Sequence, residues 1–241
     1  MRIGVLQTGR VRADLAARFG EYPAMFDAML ARAGGPFSLT TVAVVDGQDL
    51  PAPDAMDGWI VTGSRHGVYD GLPWIDPLKA FLRDARAAAR PIVGVCFGHQ
   101  ILAEAFGGRV IKHPGGWRLG THDFAVREGR WAAEAPETLR LHSVHQDQVV
   151  ELPDDAAVWA SAEGCAYAGL LYGDPAAPEA VSIQPHPEFD AAFTRALAEM
   201  LVADGKVDAA LGEQALSQIG TPVDNARVGR MLAGYLTRAA A

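Results

Sequence analysis

The run PIVGVCFGHQILAEAFGG, residues 91 to 108, limits the possible folds of this chain more than any other stretch. An apolar, β-branched strand leads directly into Cys96, and Ile101, Leu102, Ala105 and Phe106 then mark one face of a helix that Gly107 and Gly108 terminate. Cys96 therefore falls on a strand-to-helix turn. Gly94 and Gly98 lie two residues to either side, where side chains would collide if the backbone folded back far enough to push the thiol outward. This is the pattern of a nucleophile elbow with sulfur in place of oxygen. The unpaired N–H groups and positive dipole end of the following helix favour a thiolate at that point. A second description fits the same letters: a small buried cysteine on a core strand, which is what most free cysteines are.

The elements around this run predict an α/β fold with a central, mostly parallel sheet covered by helices on both faces. Residues 2 to 8, 41 to 45, 59 to 62 and 91 to 95 read as strands. Leu15 to Ala33 and Trp74 to Ala89 carry apolar residues at three- and four-residue spacing and read as crossover helices. From Arg109 to Ile183 short runs punctuated by Gly, Pro and Asp suggest extra antiparallel hairpins decorating the main sheet. After Asp190 the chain is alanine-rich with helical period, broken at Gly220, Thr221 and Pro222, so two or three C-terminal helices are expected. The resulting division is a catalytic domain over 1–190 and a helical extension over 191–241 packed on it.

Composition narrows the function. At 241 residues the chain can bury a full core, and a formal charge of −8 argues against nucleic acid, whose phosphates call for clustered Lys and Arg. The expected partner is a small molecule. Two cysteines, Cys96 and Cys165, without a disulfide framework suit a reducing compartment. No apolar run of the ~18 residues needed to cross a bilayer occurs, so no membrane role is expected and the cytoplasm is the expected location.

A thiol nucleophile needs a base, and VSIQPHPEFD, residues 181 to 190, can supply one. In an extended segment residues two apart project to the same side, so His186 and Glu188 stand together while Pro185 and Pro187 stiffen the backbone. A carboxylate beside an imidazole fixes its tautomer and stabilises the imidazolium. Taken alone, the segment is more often a turn in which a Glu caps a His, and it is the elbow that reverses the balance.

The elbow G-V-C-F-G-H-Q and the later Q-P-H-P-E-F, with Cys96 and His186 90 positions apart, resemble the two signatures of the class I glutamine amidotransferase superfamily over about residues 1 to 190. The resemblance implies a flavodoxin-like sheet and a Cys96, His186, Glu188 triad. In that scheme Cys96 attacks a side-chain amide, His186 moves the proton, Glu188 orients His186, and water resolves a γ-glutamyl thioester. It also implies an oxyanion hole built from the N–H of Phe97 and the N–H of Ser64, with Gly63 permitting the turn, although this chain reads G-S-R-H where many relatives read G-G-P. Gln100, His145 and Gln146 match the positions that contact the substrate. No cofactor is implied. His142 and His145, three apart on a strand, face opposite sides and lack the Cys or Glu partners of a metal site, so no metal is expected. Trp117, Trp131 and Trp159 are expected as packing residues, and Cys165 as inert filling.

Three functions remain open. One is a glutaminase that passes ammonia to a separate synthase subunit, since no synthase domain follows on this chain. The second is a free-standing γ-glutamyl peptidase, the branch that the G-S-R-H loop and the H-S-V-H-Q-D segment look most like. The third is a catalytically silent binding protein on the same fold. A cysteine α/β-hydrolase is disfavoured, because that fold places its acid well before its histidine.

Overall fold

The computed structural model describes residues 1–127, 131 and 136–239. Four strands build the centre: β1 (Arg2–Leu6), β2 (Ser38–Val42), β3 (Gly58–Val61) and β4 (Ile92–Val95). With β11 (Ala180–Ile183) they pair in parallel in the order β2-β1-β3-β4-β11. The second half of the same sheet is antiparallel. There β10 (Cys165–Tyr172), β9 (Ala156–Ala162), β6 (Arg118–Val126) and β7 (Thr138–His145) follow β11 in that order. Among the described residues only β5 (Arg109–Lys112) and β8 (Asp147–Glu151) form a separate ribbon. The expected hairpins thus extend the main sheet instead of decorating it, and the sheet is mixed. Positions 128–130 and 132–135 of that region, and 240–241 of the tail, lie outside the described residues.

Helices cover both faces. On one, α2 (Tyr22–Ala33) and α7 (Asn225–Ala239) bury Phe26, Leu30, Val228 and Leu232 against Ile3, Ile60 and Val93. On the other, α3 (Ile75–Ala87) and α4 (Phe97–Ala105) bury Leu78, Phe81, Ile101 and Leu102 against Trp59, Val61 and Ile92. The tail also contains α5 (Ala191–Ala203) and α6 (Ala209–Gln218), which pack with Leu119 of β6. Among the described residues no helix is long and apolar enough to cross a membrane.

Two boundaries differ from the sequence reading. The helix expected from Leu15 to Ala33 is broken into α1 (Ala13–Phe19) and α2, because Gly20 adopts φ 81° and Pro23, in the first turn of α2, cannot sit inside a continuous helix. The strand expected at 41–45 lies at 38–42, since β2 ends where its partner ends, with Leu6 opposite Val42; a 3₁₀ turn follows at Val44–Asp46.

Parallel pairing has one consequence for chemistry. The carboxyl ends of β1, β3, β4 and β11 lie on one edge of the sheet, so Thr8, Gly63, Cys96 and His186 converge there, in the crevice where open α/β sheets bind ligands.

Candidate active site

Cys96 adopts φ 54° and ψ −104°, a conformation L-residues rarely take, between β4 and α4. Its N–H donates to Ile183 O (2.9 Å) and its carbonyl accepts from Gln100 N (3.0 Å), so both sides of the turn are fixed. The flanking glycines are required by contact. A Cβ on Gly94 would lie 2.5 Å from Gly98 O, and one on Gly98 would lie 2.3 Å from Val61 O. Both obstacles are backbone and cannot move aside. The thiol is 6% exposed, enough to border two chambers.

His186 and Glu188 do stand together, with Nδ1 of His186 2.8 Å from Oε1 of Glu188, although the chain there bends and turns after β11 where an extended segment is expected. The segment is held by an N–H of His186 donating to His142 O (2.8 Å). Phe189 stacks flat on the imidazole at 3.9 Å and 5°, and Tyr22 stacks on Phe189 at 6.0 Å. The stack and the contact with Glu188 set the plane of the ring. Burial opposes a charge on His186, but Glu188 and Cys96 outweigh it and hold the imidazole up at about 10. Gly63 brings the parts together: a Cβ there would meet Cε1 of His186 at 3.2 Å and Cβ of Cys96 at 3.8 Å.

The loop after β3 is pinned by hydroxyls. The carbonyl of Gly63 accepts from Oγ1 of Thr62 (3.0 Å) and Oγ1 of Thr8 (3.2 Å). In a trans peptide C=O and N–H point in opposite directions, so the N–H of Ser64 is aimed away from Thr8. Ser64 itself explains how a non-glycine serves here. Its Oγ donates to Thr8 O (2.7 Å) and accepts from His66 N (3.1 Å), closing a Ser-type turn. Phe97 is the first residue of α4, where an N–H has no intrahelical acceptor.

The smaller chamber, about 300 Å³, is lined mostly by residues with polar side chains. Gln100, His145 and Gln146 all line it, with Tyr69, Asp70 and Lys112, three residues that the sequence motifs do not single out. Gln100 is buried, not a solvated helix-start residue, and its amide donates to Asp147 O (2.9 Å) and Gln184 Oε1 (3.2 Å). Burial pushes His145 down to about 3, against the pull of its bond to Asp147 O, so it is a neutral imidazole. Burial likewise raises the carboxyl of Asp147.

The larger chamber, about 540 Å³, is mainly apolar, and His186 and Phe189 open onto it. Trp117, expected as a packing residue, lines both chambers, whereas Trp131 and Trp159 are buried in the core. Cys165 is buried 2% exposed, with its thiol pushed up to about 12 by that burial. His142, on β7, shares Nδ1 with Oγ1 of Thr121 (3.0 Å). Among the described residues no cluster of three or more His, Cys, Asp or Glu could hold a metal ion.

The family model "Glutamine amidotransferase class-I" matches residues 27–198. The chain is 26% identical over 239 residues to a glutamine amidotransferase-like protein of Schizosaccharomyces pombe, covering 92% of this chain and 93% of that one. It is 29% identical over 181 residues to gamma-glutamyl peptidase 3 of Arabidopsis thaliana, covering 71% of this chain and 70% of that one. The fold matches the crystal structure of a glutamine amidotransferase from Thermotoga maritima with a TM-score of 0.76 at 19% identity, over 100% of this chain and 98% of that one.

Proposed function

The chain belongs to the class I glutamine amidotransferase family, and we propose that it hydrolyses the side-chain amide of glutamine or of a γ-glutamyl compound through Cys96, His186 and Glu188. The observation that carries this reading is a cysteine held at φ 54° on a strand-to-helix turn beside an imidazole that is itself 2.8 Å from a buried carboxylate. Cys96 Sγ attacks the γ-carbonyl carbon, the C–N bond breaks, and His186 gives its proton to the departing nitrogen. The γ-glutamyl thioester left on Cys96 is then attacked by water, whose proton His186 accepts, releasing a free γ-carboxylate and the thiol. The N–H groups of Ser64 and Phe97 stabilise the tetrahedral oxyanion, each worth about 3 kcal/mol. Gln100, His145 and Gln146 receive the acyl end in the smaller chamber, with Lys112 and Asp70 suited to its carboxylate and ammonium.

In this reading the helices from 191 onward complete one unit with the catalytic part over 1–190, and the two buried free thiols suit a reducing cytoplasm. The resemblance to gamma-glutamyl peptidase 3 favours a hydrolase that needs no ammonia acceptor. The test is mass spectrometry after exposure to a glutamine-like diazoketone, with release of amine measured in parallel. Labelling of Cys96, and loss of at least about 1,000-fold in turnover in Cys96→Ser, are expected. Turnover that survives the substitution would refute the mechanism, and turnover that requires an added synthase subunit would restore the amidotransferase reading.

A further inference from the structure

Cys96 stands where two chambers meet, and the two differ in which catalytic group they reach. His186 borders the larger chamber and is not a wall of the smaller one. Because the departing nitrogen takes its proton from His186, the departing group must lie on the His186 side, with the acyl group in the smaller chamber that holds Gln100.

The size of that side decides what departs. Ammonia fills about the volume of one water, roughly 30 Å³. The larger chamber measures about 540 Å³, within the range of ligand pockets. Its floor is apolar: Tyr22, Phe189, Phe193, Leu197 and Met200. Its cations fall into two groups. Arg10 is paired with Asp46 and Glu21, and Arg12 with Asp14 and Asp204. Lys206 lines this chamber alone and Arg65 stands on the wall it shares with the smaller one; neither has an ion-pair partner among the described residues.

We propose that this chamber is a leaving-group subsite for an apolar amino acid whose free carboxylate is met by Arg65 and Lys206, so that the preferred substrate is a γ-glutamyl dipeptide with a bulky apolar second residue. The proposal rests on the hydrolase reading above and goes beyond it by naming the amine. Hydrolysis then consumes one water, breaks the γ-glutamyl C–N bond, and yields glutamate and the apolar amino acid with its amine protonated. Several walls of this subsite, including Tyr22, Met200 and Lys206, lie outside residues 27–198, so the part of the chain not shared with the family model shapes the choice of amine.

The test compares kcat/KM for γ-glutamyl-phenylalanine, for the same dipeptide with its carboxylate amidated, and for glutamine. The free dipeptide should exceed glutamine by about 10- to 100-fold, and should exceed its amide by about 5- to 10-fold. Lys206→Gln should shrink the acid-over-amide ratio toward one. Met200→Trp, which fills the chamber from a half-buried position on α5, should cut the dipeptide-over-glutamine ratio by about 10-fold or more. Equal rates on dipeptide and glutamine, or ratios that neither substitution moves, would overturn the subsite. Labelling of Cys96 by the diazoketone without cleavage of the dipeptide would also overturn it while leaving the nucleophile standing. An unlabelled, inert Cys96 would bring down the hydrolase reading, and the subsite with it.

Discussion

The smaller chamber is walled by side chains between Ser64 and Asp147, all inside the span matched by the family model, while the larger one draws walls from both sides of that span, from Arg10 to Tyr22 and from Met200 to Lys206. The first is lined mostly by polar side chains and the second mainly by apolar ones. The two chambers meet along a shared wall of Ser64, Arg65, Cys96, Trp117 and Val144. On the proposed reading, the acyl side is built within the common part and the leaving-group side combines the common part with the two ends.

The separation can be broken or sharpened by substitutions that act on one side, or on both. The largest effect is expected from Glu188→Gln, which removes the charge that holds His186 protonated and oriented. Turnover should fall roughly 100- to 10,000-fold, equally for glutamine and for γ-glutamyl dipeptides. A loss confined to one substrate would mean that the triad does not serve both chambers. The same variant tests the titration of His186. Its pKa is raised in the folded state to about 10, so its contribution to stability is full below the free imidazole value near ~6.5 and is lost as pH rises through about 10. Urea midpoints measured across that range should fall with pH in the parent and stay flatter in Glu188→Gln.

Gly98→Ala comes next. Its Cβ would lie 2.3 Å from Val61 O, so the elbow must shift, costing about 1–3 kcal/mol in urea unfolding and activity on every substrate. Gln100→Ala acts on the acyl side only, removing a donor to Asp147 O, and should raise KM about 10-fold for both substrates while their ratio holds. A change in the ratio would show that the chambers are not independent. The smallest effect is expected from Asp190→Ala. Asp190 caps α5 by accepting from Phe193 N at 2.7 Å, and losing that bond should cost about 1 kcal/mol of stability and loosen only the apolar chamber.

Local signals made much of this legible. The elbow could be read because strand, Cys96, helix and flanking glycines are contiguous; His186 and Glu188 do stand together as expected, but on a bend and turn after β11 and not on the extended segment that the spacing assumes. The loop after β3 was readable only in outline, since what orients the Gly63 to Ser64 peptide is a pair of threonines, Thr8 and Thr62, that follow different strands. The chambers were not readable. Trp117, Met200 and Lys206 meet near Cys96 through packing of β6, α5 and the turn beyond it, and nothing in their neighbouring letters announces that meeting. The antiparallel hairpins are legible in their turns, but their joining the main sheet is not: short strands give away their type and not the partner they choose.

The backbone at Cys96 bears a standing load. A non-glycine residue in such a conformation costs of order 1–3 kcal/mol, held only because the surrounding strands and helix permit nothing else. Glycine at this position would relax the bend, so the inert protein should outlast the working one on heating. Durability and the bend that turns the buried sulfur toward the two chambers compete for the same pair of torsion angles, a spring that the rest of the sheet must keep wound.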